Sequence, residues 1–519
     1  MKVLGVAAPN WVSRGIYAYS KGLNSSDPFS LYNAYRVAAS SAEEEQGYWS
    51  KSNWSTYEGR ENSILLMTYF EEEKEDFKRK LVEIKPDLLL IGSMTLSFAG
   101  AIEIAKIAKE ILGEKVFIVL GGKHVIETMY IKNGKIIDAY NSPLQLMLSK
   151  KIDSVFDLVL SGDGEYTILN IGNIIGYLRE NNLDNSEFFN YLAPLKSSKG
   201  NWCAGWLEDG KPSYILTKCS VIDYDSIPLT SEMFPIRNKF NVFDANLTAH
   251  AFSDISKGCI FDCFYCSEKR SINGKLDRDN VKQAPYRLAK NLKSIQNVGI
   301  SRYGYSNMSA FIEDSIILSG NSKSLANFEK ALEMEKVNLE FGGQFTVDTL
   351  LKNKDQIKNL KKYGFKYVFF GIETNNDEIA AKMSKNINTK IVWMDKNEEV
   401  ISFLCENNIL CGVSLLFGLG ETQDDRLSLL LTIRDWMQKY KNLCVVSLNW
   451  AVKHPLQLED SQSFDYIEWG TPKNSEYLGI FTELFGEASE KYCMSGVSLP
   501  PVDELLAIKS ICDELNLLN

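Results

Sequence analysis

Histidine is nearly missing from this chain. His124, His250 and His454 are its only three, and none stands near another. A zinc finger needs a second pair of Cys or His ligands beside the first, so three isolated histidines argue against a zinc site. Cysteine is absent from residues 1–195, which excludes a thiolate-held cluster in that part of the chain. Long apolar runs are missing too: the longest uncharged stretch, Leu88 to Ile102, breaks at Gly92-Ser93 and is shorter than the ~20 residues of a membrane-spanning helix. Positive charge is not in excess. With 57 basic and 67 acidic residues the net charge is -10, no general footprint for a nucleic-acid backbone. The opening Met-Lys-Val-Leu-Gly-Val enters a strand-like run instead of a basic, apolar and cleavable signal. These absences lead us to expect a cytoplasmic protein with reduced thiols and neither a membrane nor a nucleic-acid partner.

What is present is an ordinary globular composition, 45% hydrophobic and 24% charged, in a chain long enough for two or three domains. Against that background one cluster stands out. Cys259, Cys263 and Cys266 are spaced x3 and x2 behind the strand-like run Phe252 to Gly258. A chance triplet at one fixed spacing is expected roughly 0.004 times in a chain with this cysteine content, so chance is a poor explanation. Thiolates ligate iron–sulfur clusters, and a [4Fe-4S] cluster normally takes four. No fourth cysteine lies within thirty residues of the triplet. Three ligands leave one iron open, and an open position distinguishes a site that does chemistry from a closed structural one.

The run Cys259-Ile-Phe-Asp-Cys263-Phe-Tyr265-Cys266, with Tyr265 at the aromatic position, resembles the signature of the radical S-adenosylmethionine (SAM) enzymes. The resemblance implies a [4Fe-4S] cluster on the three cysteines, with SAM chelated to the open iron and cleaved to a 5′-deoxyadenosyl radical. It also implies an external electron donor such as flavodoxin or ferredoxin.

Residues 1 to about 195 alternate apolar strands with amphipathic helices, the pattern of a parallel sheet covered by helices. Phe77, Leu81 and Ile84 share a helical face; Lys85-Pro86 breaks it, and a buried strand Asp87 to Gly92 follows. A helix Phe98 to Leu112 leads to a strand Lys115 to Leu120 that ends in Gly121-Gly122-Lys123-His124, and a strand Phe156 to Leu160 ends in Ser161-Gly162-Asp163-Gly164-Glu165. In open parallel sheets ligands sit outside the carboxyl ends of the strands, and small residues there allow close backbone approach. Pro86-Asp87, Ile91-Gly92-Ser93, Gly121-Gly122 and Gly162-Asp163-Gly164-Glu165, in this order ahead of the cysteine triplet, resemble the cobalamin-binding domain of the cobalamin-dependent radical SAM subfamily. That resemblance implies a corrin held by Ser93, Thr95, Gly121, Gly122, Gly162, Gly164 and Glu165. The loop Ala8 to Gly15 lacks the Asp-x-His-x-x-Gly that supplies a lower axial histidine, so the corrin is expected without that ligand. His124, His250 and His454 read as structural or locally hydrogen-bonded.

Residues 196–250 read as a connection, with a hairpin at Trp206 to Tyr214, an extended turn at Asp223 to Pro228, and Cys203 and Cys219 as ordinary thiols. From about 251 to 450 six strand–loop–helix repeats predict a partial (β/α) barrel with function at the carboxyl strand ends; the family resemblance implies the same. The strands are Phe252 to Gly258, Ala310 to Glu313, Asn338 to Phe345, Lys366 to Ile372, Leu410 to Phe417 and Leu443 to Trp450. Strand two ends in Glu313-Asp314 and strand three in Gln344. Gly371-Ile-Glu373-Thr resembles the segment that binds the ribose or methionine part of SAM. Ser414-x-Leu416-x-Gly418-x-x-Glu421 resembles the adenine-binding segment, with serine at its first glycine. Phe311-Ile-Glu313-Asp314 stands where the family has Gly-Gly-Glu. The SAM contacts carried over are therefore Tyr265, Glu313, Gln344, Glu373, Ser414, Gly418 and Glu421. Thr422 through Asp425 reads as a capping box. Residues 451–519, with a helix from Val502 to Leu515, are expected to close the open side of the barrel and contribute to a substrate pocket.

The fold expected is thus α/β, a Rossmann-like parallel sheet followed by a partial (β/α)6 barrel and a small C-terminal segment. The activity expected is cobalamin-dependent radical SAM methylation of an unactivated carbon, on a small-molecule or peptide substrate. Three other readings stay open: ring contraction or cyclisation without methyl transfer, radical SAM chemistry without cobalamin, and a non-catalytic iron–sulfur sensor. No second compact cysteine cluster occurs, which argues against the auxiliary-cluster subfamilies and the methylthiotransferases.

Overall fold

In a computed structural model the described residues are 1–10, 64–67, 70–217, 222, 224–226, 229, 231, 236, 239–244, 246–256, 258–268, 278–457, 464–469, 476–485 and 490–518. The loop beyond Asn10, Cys219 and Asp223, Ile227 and Pro228 of the expected extended turn lie outside them. Two compact units divide the chain: one gathers described residues up to 231 together with 454–469, the other holds 236–453 and 476–518. Among the described residues no helix is long and apolar enough to cross a membrane.

The first unit is built on the strands β1 (Val3–Ala7), β2 (Ile64–Leu66), β3 (Leu88–Gly92), β4 (Phe117–Gly121), β7 (Leu158–Gly162), β8 (Trp202–Glu208) and β9 (Lys211–Leu216). A separate antiparallel hairpin supplies β5 (Met129–Lys132) and β6 (Lys135–Asp138). The sheet order is β2-β1-β3-β4-β7-β8-β9, parallel as far as β7 and antiparallel beyond. Runs such as Leu88–Gly92, buried along four of five positions, are what a sheet covered on both faces requires. The order reverses at β1, which puts the topological switch point, where such sheets take ligands, at the carboxyl ends of β1 and β3. Ala7 pairs with Gly92 and Gly92 with Gly121, which brings three small residues level at the carboxyl edge.

Asp87 explains its own place ahead of β3. One carboxylate oxygen accepts from the Lys2 backbone N–H at 2.7 Å and the other from Arg179 Nε at 3.0 Å, tying the start of β1 to the helix Glu165–Glu180. The predicted helix Phe98–Leu112 forms over those residues. Gly100 lets it approach the first strand's loop: a Cβ there would lie 2.0 Å from the Pro9 carbonyl oxygen. The connection read for 196–250 needs correction in its first half, because β8 and β9 extend the N-terminal sheet, Ser161 pairing with Cys203 and Gly162 with Trp202. Buried Trp202, Trp206 and Ile215 give that hairpin its attachment, a signal that alternation within a short hairpin does not reveal.

The second unit curls six parallel strands in sequence order: β10 (Thr248–Ala251), β11 (Ser309–Ile312), β12 (Glu340–Gln344), β13 (Phe365–Glu373), β14 (Leu410–Phe417) and β15 (Leu443–Trp450). Alternation separates its two faces. Val368, Phe370, Ile372, Val413 and Leu415 are buried in the core shared with the helices. Phe369, Gly371, Ser414, Leu416 and Ser447, on the concave face, remain partly open. Toward the amino ends that face is plugged by aromatics. Phe243 and Phe311 each stand within ring-contact distance of Tyr367, and Gly412 makes room for the Tyr367 hydroxyl, which would meet a Cβ at 2.0 Å. These rings fill the concave face at the amino ends of the strands.

The first barrel strand corrects the expectation. It is Thr248–Ala251, and the described residues of Phe252 to Gly258 lie outside any strand. Asp254 takes a φ of 55°, and the Ser253 N–H and hydroxyl both donate to the Asp314 carboxylate, so local polar bonds pull an extended-looking sequence out of the ladder. The C-terminal expectation also changes. Residues 454–457 and 464–469 pack in the first unit, whereas the helices Glu476–Phe485 and Val502–Leu518 cover the β15 edge and the helix Gln423–Lys439 through Phe481, Phe485, Leu505, Ile508 and Leu515.

Candidate functional site

The cysteine loop is held at both ends. Arg287 Nη1 donates to the Ser253 carbonyl at 2.9 Å, and the Asn280 side chain donates to the Asp254 carbonyl, so the helix Arg278–Val298 fixes how the chain leaves β10. Farther on, Cys259 N donates to Glu268 O at 2.8 Å and Cys266 N to Cys263 O at 3.1 Å. Asp262 N donates to Ser384 Oγ at 3.0 Å. Burial pushes the thiols up, Cys259 to about 11 and Cys266 to about 12, with Cys263 moved the same way for the same reason. Near neutral pH the metal-free triplet is therefore protonated, and iron binding must release those protons. Among the described residues no three His, Cys, Asp or Glu side chains converge as the shell of a single ion does. A cluster asks for a different disposition, one thiolate to each of three irons.

Beside this loop lies a buried ion pair. Gly371 and Glu373 flank a register shift in β13, and Glu373 takes a φ of 69°, which turns its side chain back across the sheet. Only glycine at 371 allows this, because a Cβ there would lie 1.9 Å from Glu373 Oε1. That oxygen accepts from Lys385 Nζ at 2.6 Å and from the Tyr265 hydroxyl at 3.2 Å. Lys385 Nζ also donates to Gly371 O at 3.1 Å, and its charge draws the Cys263 thiol down against the larger effect of burial. Lys385 was not singled out in the sequence. Lys382, Lys385 and Lys390 share one stretch, and nothing in their pattern marks which lysine turns inward.

At the next strands Ser447 Oγ donates to Ser414 Oγ at 3.1 Å, and Asn449 Nδ2 donates to Ser447 Oγ at 3.0 Å. Glu421 is committed to its own turn: Oε1 accepts from Gly418 N at 2.7 Å and Oε2 from Leu419 N at 2.8 Å. With both N–H groups spent, the turn can offer a ligand its carbonyl oxygens, which suit an amino group better than a phosphate. The capping box forms as read, Thr422 bonding Asp425 N and Asp425 bonding Thr422 N. Gln344 is half-buried at the end of β12. Glu313 and Asp314 both turn inward. His250 Nδ1 stands 2.5 Å from Glu313 Oε1, and Asp314, pushed up to about 6 by burial, accepts from Ser253 and from Leu318 N.

In the first unit the strand-end loops meet without side chains. Gly122 has a φ of 96°, and a Cβ there would lie 2.5 Å from Ser93 N and 2.6 Å from Ser93 O. Ser93 N donates to Gly121 O, and His124 N to Ser93 O, each at 3.0 Å. Thr95 donates to Glu127 Oε2 at 2.9 Å. His124 is sealed in the core, stacked on Phe98 at 4.1 Å and edge-on to Tyr466 at 6.0 Å. Burial drives its imidazole down to about 3, so it stays neutral. Gly162 answers a packing need: its φ is 94°, and a Cβ would lie 2.2 Å from Asn201 O. Gly164 precedes the helix that begins at Glu165, a buried residue.

Residues 253–433 match the family described as the Radical SAM superfamily. That stretch of the chain is a radical SAM domain. It is 23% identical over 314 residues to an uncharacterized methyltransferase of Pyrococcus horikoshii, a match covering 60% of this chain and 57% of that protein. It is 28% identical over 243 residues to a biotin synthase of Methanococcus maripaludis, covering 47% and 63% respectively. The chain thus spans less than two thirds of the length of these curated relatives. Among solved structures it shares its fold with the radical SAM methyltransferase TsrM from Kitasatospora setae, solved with cobalamin and a [4Fe-4S] cluster. There the TM-score is 0.52 and the identity 13%, over 88% of this chain and 78% of that one.

In a radical SAM domain with this geometry Lys385 should matter as much as the residues of the signature. Breaking a buried pair leaves the surviving charge uncompensated, and hydrogen bonds to charged groups contribute about 1.5–3 kcal/mol. Lys385→Ala should therefore raise the dissociation constant for SAM roughly ten- to a hundredfold, read by equilibrium dialysis with the cluster intact. Unchanged SAM affinity would remove Lys385 from the site.

Proposed function

We propose that this chain is a cobalamin-dependent radical SAM methyltransferase acting on an unactivated carbon. The observation that carries the reading is the pairing, in one chain, of the Cys259–Cys266 loop beside Glu373 and Lys385 with a parallel sheet whose carboxyl ends present Ser93, Gly121 and Gly122. The overlap in fold with TsrM across most of the chain supports it.

The residues present fit the groups this reading requires. Cys259, Cys263 and Cys266 would hold three irons. Tyr265, Gln344, Glu373, Ser414 and Gly418 would surround SAM, with Glu421 shaping the turn and Glu313 held by His250. Ser93, Thr95, Gly121, Gly122, Gly162, Gly164 and Glu165 would line the corrin, and the side-chain-free meeting of Gly122 with Ser93 suits a broad flat ligand. When bound, these groups would supply one electron to the sulfonium of SAM and a transferable methyl. The chain's own task is placement. Lys385 and Tyr265 fix the Glu373 carboxylate, and the aromatic plug around Tyr367 keeps water from entering the concave face through its amino end. The electron must come from an external donor such as flavodoxin or ferredoxin, and the substrate is a small molecule or a peptide.

Protein made in a corrinoid-replete host and purified without oxygen should contain about four irons and about one cobalt per chain. Methylated product together with S-adenosylhomocysteine would separate methyl transfer from ring contraction or cyclisation. Iron without cobalt would sink the corrin assignment and favour the second reading, radical SAM chemistry without cobalamin, toward which the biotin synthase similarity points.

A further inference from the structure

We infer that Arg426 is a positioning residue for the Gly418–Leu419 turn, and that through it the C-terminal helix Val502–Leu518 sets how tightly SAM is held. The inference rests on reading the end of β14 as the nucleoside side of the SAM site. Arg426 Nε donates to Glu421 Oε1 at 2.7 Å and Nη2 to the Glu421 carbonyl at 3.2 Å. The same Oε1 holds Gly418 N, so the guanidinium and the turn share one oxygen. Both partners are buried, with side-chain exposures of 6% for Arg426 and 3% for Glu421. A carboxylate sealed to that degree depends on its cation to stay ionised and in place, and only in place can its two oxygens fix two successive N–H groups.

The other edge of the guanidinium reaches away from the turn. It stands 5.1 Å from the Trp450 ring at the end of β15. Its Nη1 lies 3.6 Å from Glu504 Oε2 and donates to Gln423 Oε1 at 3.4 Å, while Gln423 Nε2 donates to the Glu504 carbonyl at 3.1 Å. Glu504 belongs to the first turn of the C-terminal helix, whose Leu505, Ile508 and Leu515 are buried in the barrel core. Trp450 closes the arrangement, because Gly418, with a φ of 80°, packs so near the indole that a Cβ would meet it at 2.6 Å. One planar fork therefore touches the turn's carboxylate, the last strand and the last helix. A lysine would supply the charge without the fork.

The test is reductive SAM cleavage by this chain with dithionite, comparing the parent with Glu504→Gln, Arg426→Lys and Arg426→Gln. Glu504 is one-third exposed, so its replacement leaves the fold intact and keeps the test decisive if Arg426→Gln does not fold. The KM for SAM should rise about threefold in Glu504→Gln and about tenfold or more in Arg426→Gln, with Arg426→Lys between them and kcat within about twofold throughout. An unchanged KM in both Glu504→Gln and Arg426→Lys would overturn the inference, as would a fall in kcat at constant KM. If the parent itself formed no 5′-deoxyadenosine, the reading of the SAM site would fall first and the inference with it.

Discussion

Cys263→Ala should abolish SAM cleavage. Iron content should fall from about four per chain to near zero, and 5′-deoxyadenosine should drop to background even with dithionite as reductant, while cobalt is retained. The reason lies in the number of ligands. Three thiolates are already one fewer than a [4Fe-4S] cluster normally takes, and the loop holds them without a spare: Cys405, Cys411, Cys444, Cys493 and Cys512 are distant in sequence, and Cys411, Cys444 and Cys512 are buried. Cys263 also lies close enough to Lys385 for that charge to act on its thiol. Cys512→Ala is the matched control, since that thiol lies among the core residues of the last helix, and it should keep both iron and activity. Persistent 5′-deoxyadenosine from Cys263→Ala would overturn the cluster assignment.

Much of this fold was legible because its strands announce themselves by burial. Leu410–Phe417 and Leu443–Trp450 form over the predicted residues, as runs of β-branched and large apolar side chains inside a parallel sheet should. The helix at 98–112 was equally plain from its apolar spacing. Illegible parts have one common physical cause: they depend on partners far away in sequence. Phe252 to Gly258 has the composition of a strand, yet Asp314, Asn280 and Arg287 pull its described residues out of the ladder. Residues 454–457 and 464–469 follow the last barrel strand but pack in the other unit, with Tyr466 against His124 and the Tyr140 hydroxyl on Phe464 O.

The site divides along the same line. The cysteine spacing and Gly371-Ile-Glu373 are local and could be read directly; the structure adds why the glycine is there, since the carboxylate folds back over it. Glu421 was read as a ligand contact, and the geometry gives it a different kind of work, holding two backbone N–H groups of its own turn. Lys385 and Arg426 were missed because a buried cation is identified by its carboxylate partner. Glu373 lies 12 residues from Lys385, and Glu504 lies 78 residues from Arg426.

Gly122→Val should cost the enzyme its cobalt and leave its iron. A side chain at 122 meets backbone, which cannot rotate aside as a side-chain tip would: the first atom alone would approach Ser93 N and O to 2.5 and 2.6 Å. Valine is also disfavoured at a φ of 96°. The loop must open, breaking the 3.0 Å bonds from Ser93 N to Gly121 O and from His124 N to Ser93 O, and with them the level edge that Gly92 and Gly121 make at the ends of β3 and β4. Cobalt retention should fall about tenfold or more, as when a bound ligand loses interactions worth about 1.4 kcal/mol, measured as bound corrinoid after desalting. Iron and 5′-deoxyadenosine formation depend on the second unit and should stay within about twofold of the parent. Equal cobalt in Gly122→Val and the parent would take the corrin away from these loops, whatever the cluster does. Loss of iron along with cobalt would mean that the substitution had unfolded more than the loop, and Gly121→Ala then becomes the sharper probe. At Gly121 an added Cβ meets only the Leu160 carbonyl at 3.5 Å, so the fold should survive and any loss of cobalt would report on the ligand alone.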